Sequence, residues 1–277
     1  MWNVFGSSVR GASHKRKGLP NQDALAWSWA GRERLPLVVA LADGHGSAKS
    51  FRSEVGARCA VEIASSELLS LASHPADRSM LSDVVPRRIV GEWQQLVQAH
   101  AASEPFTVEE REGLLAAAGP AARREVEAEK AVAYGTTLLA AAVNDAHLFL
   151  VQLGDGDILF VSDAGEVSRP LPPDERLLGN FTTSLSSADP AGDFRTLCLP
   201  LGESAPVLVL LATDGYANSY ADDAAFLQVG SDLLRLIRSE GPRWVEDQLA
   251  GWLEEVTGRG SGDDITSAVL LRGGDRP

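Results

Sequence analysis

The sequence contains only two cysteines, Cys59 and Cys198, among its 277 residues. They lie in separate apolar stretches without the spacing of a disulfide framework, so we expect reduced thiols. The sequence also lacks any apolar run close to the roughly 20 residues that span a bilayer. Its first residues have neither the basic region nor the apolar core of a secretory signal. These absences predict a cytoplasmic protein without a membrane partner.

Positive charge is scarce as well. The 25 lysines and arginines are outnumbered by 38 aspartates and glutamates, which gives a formal net charge of −13. This balance disfavours nucleic acid and anionic membrane surfaces as the main partners. It does not exclude an anionic substrate, because aspartates gathered around cations reverse the local charge. The hydrophobic fraction of 44% is that of an ordinary soluble globular protein.

Four acidic turns border apolar runs of the sequence. Three are Asp-Gly pairs that come directly after a run, and the fourth comes just before one. The four turns are Asp43-Gly44, Asp155-Gly156, Asp214-Gly215 and Asp263-Asp264. Each run predicts a buried strand, and each turn alone could be an ordinary connection without a functional role. Together they bring hard oxygen ligands to one end of a β scaffold, which suits a site for divalent metal ions.

The order of the remaining elements predicts the fold class. Strands are expected at 24–29, 35–42, 136–143, 147–153, 158–162, 207–212 and 265–271, and helices at 47–73, 223–238 and 243–257. Turn residues at 144–145 and 163–165 predict an antiparallel meander from 136 to 162. Strands with helices inserted in blocks favour an α+β sandwich over a doubly wound parallel sheet. We expect one domain, 1–277, with a helical insertion at about 77–132 and a flap-like loop at about 169–192.

Six motifs follow one another along nearly the whole chain. They are Asn21-Gln22-Asp23, Asp43-Gly44-His45-Gly46, Gly135-Thr136-Thr137, Gly154-Asp155-Gly156, Thr213-Asp214-Gly215 and Asp263-Asp264-Ile265-Thr266. In this order they resemble the motifs of the metal-dependent serine/threonine protein phosphatases of type 2C, the PPM family. The Asn-Gln-Asp triplet is similar to that of a bacterial branch. The resemblance implies a four-layer α-β-β-α sandwich with a metal site at one end of two mainly antiparallel sheets.

The resemblance also implies a centre that binds two Mg²⁺ or Mn²⁺ ions. Asp43 would bridge the two ions, and Asp214 and Asp263 would complete the protein ligands of one of them. The carbonyl oxygen of Gly44 would bind the other ion, and Asp155 would help to bind a third, weaker ion. A small number of carboxylates with octahedral oxygen coordination suits these cations.

A catalytic pair follows from the same resemblance. Asp43 and His45 would act together: the ions held by Asp43 activate a water, and His45 protonates the departing serine or threonine oxygen as general acid. Asp23 would hold water bound to the metals. Because this route forms no covalent phosphoenzyme, the absence of a reactive-cysteine motif is no objection.

Two positions depart from the family pattern. Gln22 stands where a glutamate usually ligates the second metal, and a neutral amide oxygen attracts a cation less strongly. The usual phosphate-binding arginine would fall at or near Gly18. The candidates to replace it are His14, Arg16 and Lys17, with a solvated basic loop as the alternative interpretation.

The resemblance therefore implies a monomeric phosphatase that hydrolyses phosphoserine and phosphothreonine. Its substrate would be a phosphorylated protein, the product of a bacterial serine/threonine kinase. Two alternatives stay open. A catalytically weak family member could serve as a regulatory module that binds a phosphoprotein or partner, which Gln22 alone favours. The same chemistry could also act on a small phosphoester.

Overall fold

The structure is a computed structural model that describes residues 1–30, 35–74, 77–177 and 182–273. Within these ranges the strands are Trp2–Val9 (β1), Ala24–Trp29 (β2), Leu37–Ala42 (β3), Leu138–Val143 (β4), His147–Leu153 (β5), Asp157–Val161 (β6), Val167–Ser168 (β7), Arg195–Pro200 (β8), Leu208–Ala212 (β9) and Ile265–Arg272 (β10). The α-helices are Ala12–Lys17 (α1), Ser53–Ala72 (α2), Val85–Ser103 (α3), Val108–Ala128 (α4), Asp214–Ala217 (α5), Asp223–Glu240 (α6) and Pro242–Arg259 (α7). A π-helical turn spans Met80–Val84, and 3-10 turns span Lys130–Tyr134 and Pro190–Asp193.

The strands form two sheets of five strands each. One sheet has the order β1-β10-β9-β6-β7 and the other β2-β3-β4-β5-β8. All neighbouring strands in both sheets are antiparallel. The strands expected around 24–29, 147–153 and 265–271 are present almost as predicted.

Successive side chains of the central strands pack into different apolar cores. Val39 of β3 and Val209 of β9 belong to the core between the two sheets. The neighbouring Val38 packs instead with residues of α2, α3 and α4. Leu210 packs with residues of α6 and α7 on the opposite side. The layers are therefore helix, sheet, sheet and helix, and the predicted α+β fold with two antiparallel sheets flanked by helices is confirmed.

The predicted antiparallel meander is wrong between β5 and β6, whereas the predicted turn at 163–165 does join the antiparallel strands β6 and β7. β4 and β5 do form a hairpin, but β6 pairs with β9 and β7 in the other sheet. The link Gly154-Asp155-Gly156 therefore crosses from one sheet to the other. Gly154 has φ = 100°, and a Cβ on Gly156 would lie 2.8 Å from the backbone oxygen of Ala212, so glycine is needed at both positions. The crossing places Asp155 at the end of both sheets.

The helical elements begin and end at somewhat different residues than predicted. α2 begins at Ser53 rather than near residue 47, because Arg52 N donates to Ala133 O at 2.8 Å and holds the preceding residues in a separate turn. The region from 77 to 132 contains α3 and α4, and α4 has a kink where Gly119 adopts φ = 80° before Pro120. That this region is an insertion stays a prediction. None of the helices in the described ranges is long and apolar enough to cross a membrane.

The strand β8 was not predicted, because Cys198 is the one buried residue in it, as is common for a strand at the edge of a sheet.

The flap-like loop expected at about 169–192 is mostly irregular where it is described, and positions 178–181 lie outside the described residues. The single-domain boundaries stay a prediction.

Candidate metal centre

An open cleft with a volume of about 610 Å³ lies where the acidic turns come together. The residues of the predicted site that line it are Asp43, His45, Asp155, Asp214 and Asp263. The structure thus brings four of the predicted metal ligands and the predicted general acid to one cavity, although they are spread over some 220 positions of the sequence.

Strand register explains this convergence. β3 ends where β2 begins, with Ala42 opposite Ala24. β9 ends where β6 and β10 begin, with Ala212 opposite both Asp157 and Ser267. Turns that follow β3 and β9, or precede β10, therefore leave the sheets at the same end. This is the edge at which the sequence predicted the metal site.

The carboxyl groups at the cleft raise the cost of one another's ionisation. Burial and the nearby carboxylates of Asp23 and Asp214 raise the pKa of Asp43 well above its usual range. Burial is also the main reason that the pKa of Asp23 is raised to about 8 and that of Asp214 is raised. A divalent cation would reverse these shifts, because an adjacent positive charge favours the ionised form. The all-oxygen donor set fits Mg²⁺ or Mn²⁺.

Gln22 supplies a second sign that the residues fit a cation. Its Nε2 donates to Ser53 Oγ at 2.7 Å, and its backbone N donates to Asp264 Oδ2 at 2.7 Å. Its Oε1 is buried and has no hydrogen-bond partner among the described residues. A buried oxygen without a partner costs about 1–3 kcal/mol. Gln22 therefore offers an oxygen that could serve a cation as a ligand.

Asp23 and Gly44 occupy close-packed positions next to these groups. Asp23 is buried, and its Oδ2 accepts from Thr213 Oγ1 at 2.9 Å. Gly44 N donates to Gln22 O at 3.2 Å, and a Cβ at Gly44 would approach that same oxygen to 2.5 Å. The glycine after Asp43 is thus required by the close approach of two backbone segments.

The two aspartates of the fourth turn have different surroundings. Asp263 is exposed and lines the cleft, whereas Asp264 is buried. Asp264 accepts hydrogen bonds from the backbone N of Gly11 at 2.6 Å and of Gln22 at 2.7 Å. It therefore anchors the N-terminal segment, while Asp263 remains available as a ligand.

The predicted phosphate-binding residues lie away from the cleft lining. His14 is buried between the two aspartates, with Nδ1 2.9 Å from Asp264 Oδ2 and Nε2 3.6 Å from Asp263 Oδ1. One ligand atom from each of these three residues lies within 4.8 Å of the others. Arg16 and Lys17 are exposed on α1 and do not line the cleft. A phosphate contact by any of the three stays a prediction.

His45 forms part of the cleft wall. Its backbone N donates to Gly135 O at 3.0 Å, and a Cβ on Gly135 would lie 2.7 Å from His45 Cδ2. Burial lowers the pKa of the His45 imidazole, and the nearby charge of Asp155 partly opposes this shift. The imidazole therefore packs closely against Gly135, next to the acidic turns.

The cleft also contains residues that the sequence analysis missed. Lys49 and Glu125 line it, with Lys49 Nζ 3.0 Å from Glu125 Oε1. A wall of hydroxyl groups lines it too: Thr137, Thr182, Ser184, Ser186 and Ser187. Thr182 Oγ1 donates to Asp155 Oδ1 at 2.8 Å. Lys49 could have been suspected from its place six residues after Asp43, but no sequence signal connects Glu125 with the site.

Comparisons with known proteins give a consistent result. A sequence profile described as protein phosphatase 2C matches residues 10–254. Curated protein sequences give no significant match. The structure is similar to the serine/threonine phosphatase Stp1 from Staphylococcus aureus (16% identity, covering 99% of this chain and 96% of that chain, TM-score 0.61). It is also similar to PstP/Ppp from Mycobacterium tuberculosis (18%, 98% and 98%, TM-score 0.56) and to a PstP catalytic domain in complex with two manganese ions (20%, 98% and 97%, TM-score 0.50).

Proposed function

The chain belongs to the protein phosphatase 2C family, and from that premise we propose that it is a metal-dependent protein serine/threonine phosphatase. The observation that carries the proposal is the cleft in which Asp43, Asp214 and Asp263 meet His45. The family match agrees with the resemblance of the six sequence motifs, which is confirmed. Structural likeness at these identities supports the fold, and the activity follows from the family together with the cleft.

The proposed ligands are the oxygens that converge on this cleft. Asp43 would be shared between two divalent cations, Asp214 and Asp263 would serve one of them, and the Gly44 carbonyl with Gln22 Oε1 would serve the other. Asp155 is proposed for a third, weaker ion. When bound, the cations would lower the pKa of a water and neutralise charge on the phosphoryl oxygens. The manganese-bound PstP structure supports Mn²⁺, and Mg²⁺ fits the same donors.

His45 is proposed to donate a proton to the leaving serine or threonine oxygen. Its backbone is hydrogen-bonded to Gly135, and the residue lines the cleft beside the acidic turns. Burial lowers its pKa, which makes the imidazolium a stronger acid, and the nearby charge of Asp155 favours the protonated form that donates the proton. The Asp23 carboxylate, which accepts a hydrogen bond from Thr213 Oγ1, would orient water at the metal centre.

The proposed substrate is a phosphorylated protein, as produced by a bacterial serine/threonine kinase. The cleft is open to solvent and has a wall of serine and threonine hydroxyls, which suits an extended phosphopeptide that can hydrogen-bond along the surface. A small phosphoester would fit the same acidic centre, and the two classes are separated by comparing a phosphothreonine peptide with p-nitrophenyl phosphate.

The test is hydrolysis of both substrates during a Mn²⁺ titration. We expect wild-type activity to require Mn²⁺ and to disappear with EDTA, and Asp43→Asn to fall to the background rate because the shared ligand loses its charge. Asp145→Asn is the matched control, since Asp145 is exposed in the β4–β5 turn and lies outside the cleft lining.

Two outcomes would change the assignment. Wild-type protein that stays inactive throughout the titration but binds the phosphopeptide would replace the enzyme with the regulatory binding module. Activity that survives both EDTA and Asp43→Asn would exclude the metal-dependent route.

A further inference from the structure

One positive charge stands out in an otherwise acidic cleft. Among the described residues, Lys49 is the only lysine or arginine that lines it. The acidic side chains on the same lining are Asp43, Glu125, Asp155, Asp214 and Asp263. We propose that Lys49 binds the phosphoryl group of the substrate and that Glu125 holds Lys49 when no phosphate is present. This inference rests on the proposed function and names the residue that binds the phosphate.

The backbone around Lys49 is held by hydrogen bonds of its neighbour Ser50, whereas its side chain is partly exposed. Ser50 N donates to Ser47 O at 2.9 Å, and Ser50 Oγ donates to Val132 O at 3.2 Å. The Lys49 side chain itself is 39% exposed. A lysine has a flexible four-carbon stem with three donors at its end. The ammonium group can therefore swing within the cleft from a fixed origin.

Charge explains why the cleft needs a cation besides the metals. A phosphate monoester carries about −1.5 to −2 charges at pH 7, and it must enter a cavity lined by five carboxylic acids. Most of the charge of two divalent ions would be offset by the carboxylates that hold them. A lysine that forms a charge-assisted hydrogen bond to a phosphoryl oxygen adds attraction that these carboxylates do not cancel.

Glu125 gives the lysine a partner that phosphate can displace. Lys49 Nζ lies 3.0 Å from Glu125 Oε1 and 3.2 Å from Oε2, and the Glu125 side chain is 51% exposed. An ion pair this exposed contributes only about 0.2–1 kcal/mol. A phosphate dianion can therefore take its place. Glu125 also repels the incoming phosphate, so removing its charge has the opposite effect to removing Lys49.

The experiment compares the KM of Lys49 variants with that of a Glu125 variant in the Mn²⁺-loaded protein. With a phosphothreonine peptide we expect Lys49→Met to raise KM about tenfold, as for loss of one hydrogen bond to a charged group, with a smaller change in kcat. Lys49→Arg keeps the charge and should restore most of the affinity. Glu125→Gln should lower KM and make inorganic phosphate a stronger inhibitor. The matched control is Lys15→Met, because Lys15 pairs with Glu254 at the same 3.0 Å outside the cleft.

The signs of the effects decide the outcome. A purely structural ion pair would make Lys49→Met and Glu125→Gln change KM in the same direction, and that result would overturn the proposal. An unchanged KM in Lys49→Met would overturn it as well. If the wild type is inactive, the proposed function is wrong, but the binding of phosphate by Lys49 can still be tested. Calorimetry with inorganic phosphate then decides: weaker binding to Lys49→Met supports the lysine assignment, and equal binding overturns it.

Discussion

The amide of Gln22 is held at one end and unsatisfied at the other. Ser53 accepts a hydrogen bond from Nε2, while Oε1 is buried without a hydrogen-bond partner among the described residues. This asymmetry suits the proposed ligand role, since the protein positions the amide and leaves its oxygen without a donor in the described part of the chain. Gln22 stands where the family usually has a glutamate, and the two side chains differ by one unit of charge.

We expect Gln22→Glu to bind Mn²⁺ about tenfold more tightly at one site, which corresponds to about 1.4 kcal/mol. The added carboxylate attracts the cation more strongly than the neutral amide. Gln22→Met is the control that removes the oxygen at similar size, and it should weaken binding at that site. Isothermal titration calorimetry measures both. Equal affinities in wild type and both variants would place Gln22 outside the metal centre.

Single residues of the site were predictable to different degrees. Asp43 and Asp214 could be found because a charge at the edge of a buried strand is unfavourable without a role. Asp263 and Asp264 are indistinguishable by pattern, and only the resemblance selected Asp263, which lines the cleft. His14 was expected near phosphate but contacts Asp264, which lies 250 positions away in the sequence. No local pattern reveals a contact of that kind.

At the scale of elements, Arg52 joins three segments around the helical region. Its guanidinium donates to both carboxylate oxygens of Glu110, at 2.7 and 2.9 Å, and to Tyr134 Oη at 3.0 Å. It also lies 4.8 Å above the ring centre of Phe106. Glu110 in turn caps α4, since its Oε2 accepts from Thr107 N at 2.7 Å. This junction fixes the first part of α4, before the kink at Gly119.

Arg52→Met should lower the free energy of unfolding by about 2–3 kcal/mol, because it removes several charge-assisted hydrogen bonds and leaves Glu110 without its partner. The control is Arg58→Met, which removes an exposed helix ion pair to Glu54 and should change stability by about 0.5 kcal/mol or less. Urea unfolding followed by circular dichroism gives both values. Similar losses in the two variants would show that the junction adds no more than a surface pair.

The arrangement of elements was less predictable than their existence. The turn after β4 and the turn after β5 both look like hairpin connections, yet only the first joins paired strands. The second crosses between sheets, and it passes so close to the backbone of β9 that a Cβ on Gly156 would lie 2.8 Å from Ala212 O. Such an approach depends on the packed sheets and leaves no mark in the local pattern. The layers themselves could be predicted, because continuous apolar runs in the sequence indicate strands that are buried on both faces.

At the scale of the whole molecule, five of the 38 acidic residues line the cleft at one end of the sheets. Buried carboxyl groups with raised pKa values, such as Asp23 and Asp43, oppose folding when they ionise without a counter-ion. The fold tolerates them at the point where strand ends from both sheets meet. Their convergence is explained if divalent cations complete the structure there.

The most direct test of this account is the anomalous scattering of Mn²⁺ in crystals of the wild-type protein. We predict two strong peaks, both within ligand distance of the Asp43 carboxylate, with Asp214 and Asp263 beside one of them. Crystals of Asp43→Asn should lose both peaks. Peaks confined to the His14, Asp263 and Asp264 cluster, or no peak near Asp43 at saturating Mn²⁺, would contradict the proposed metal centre.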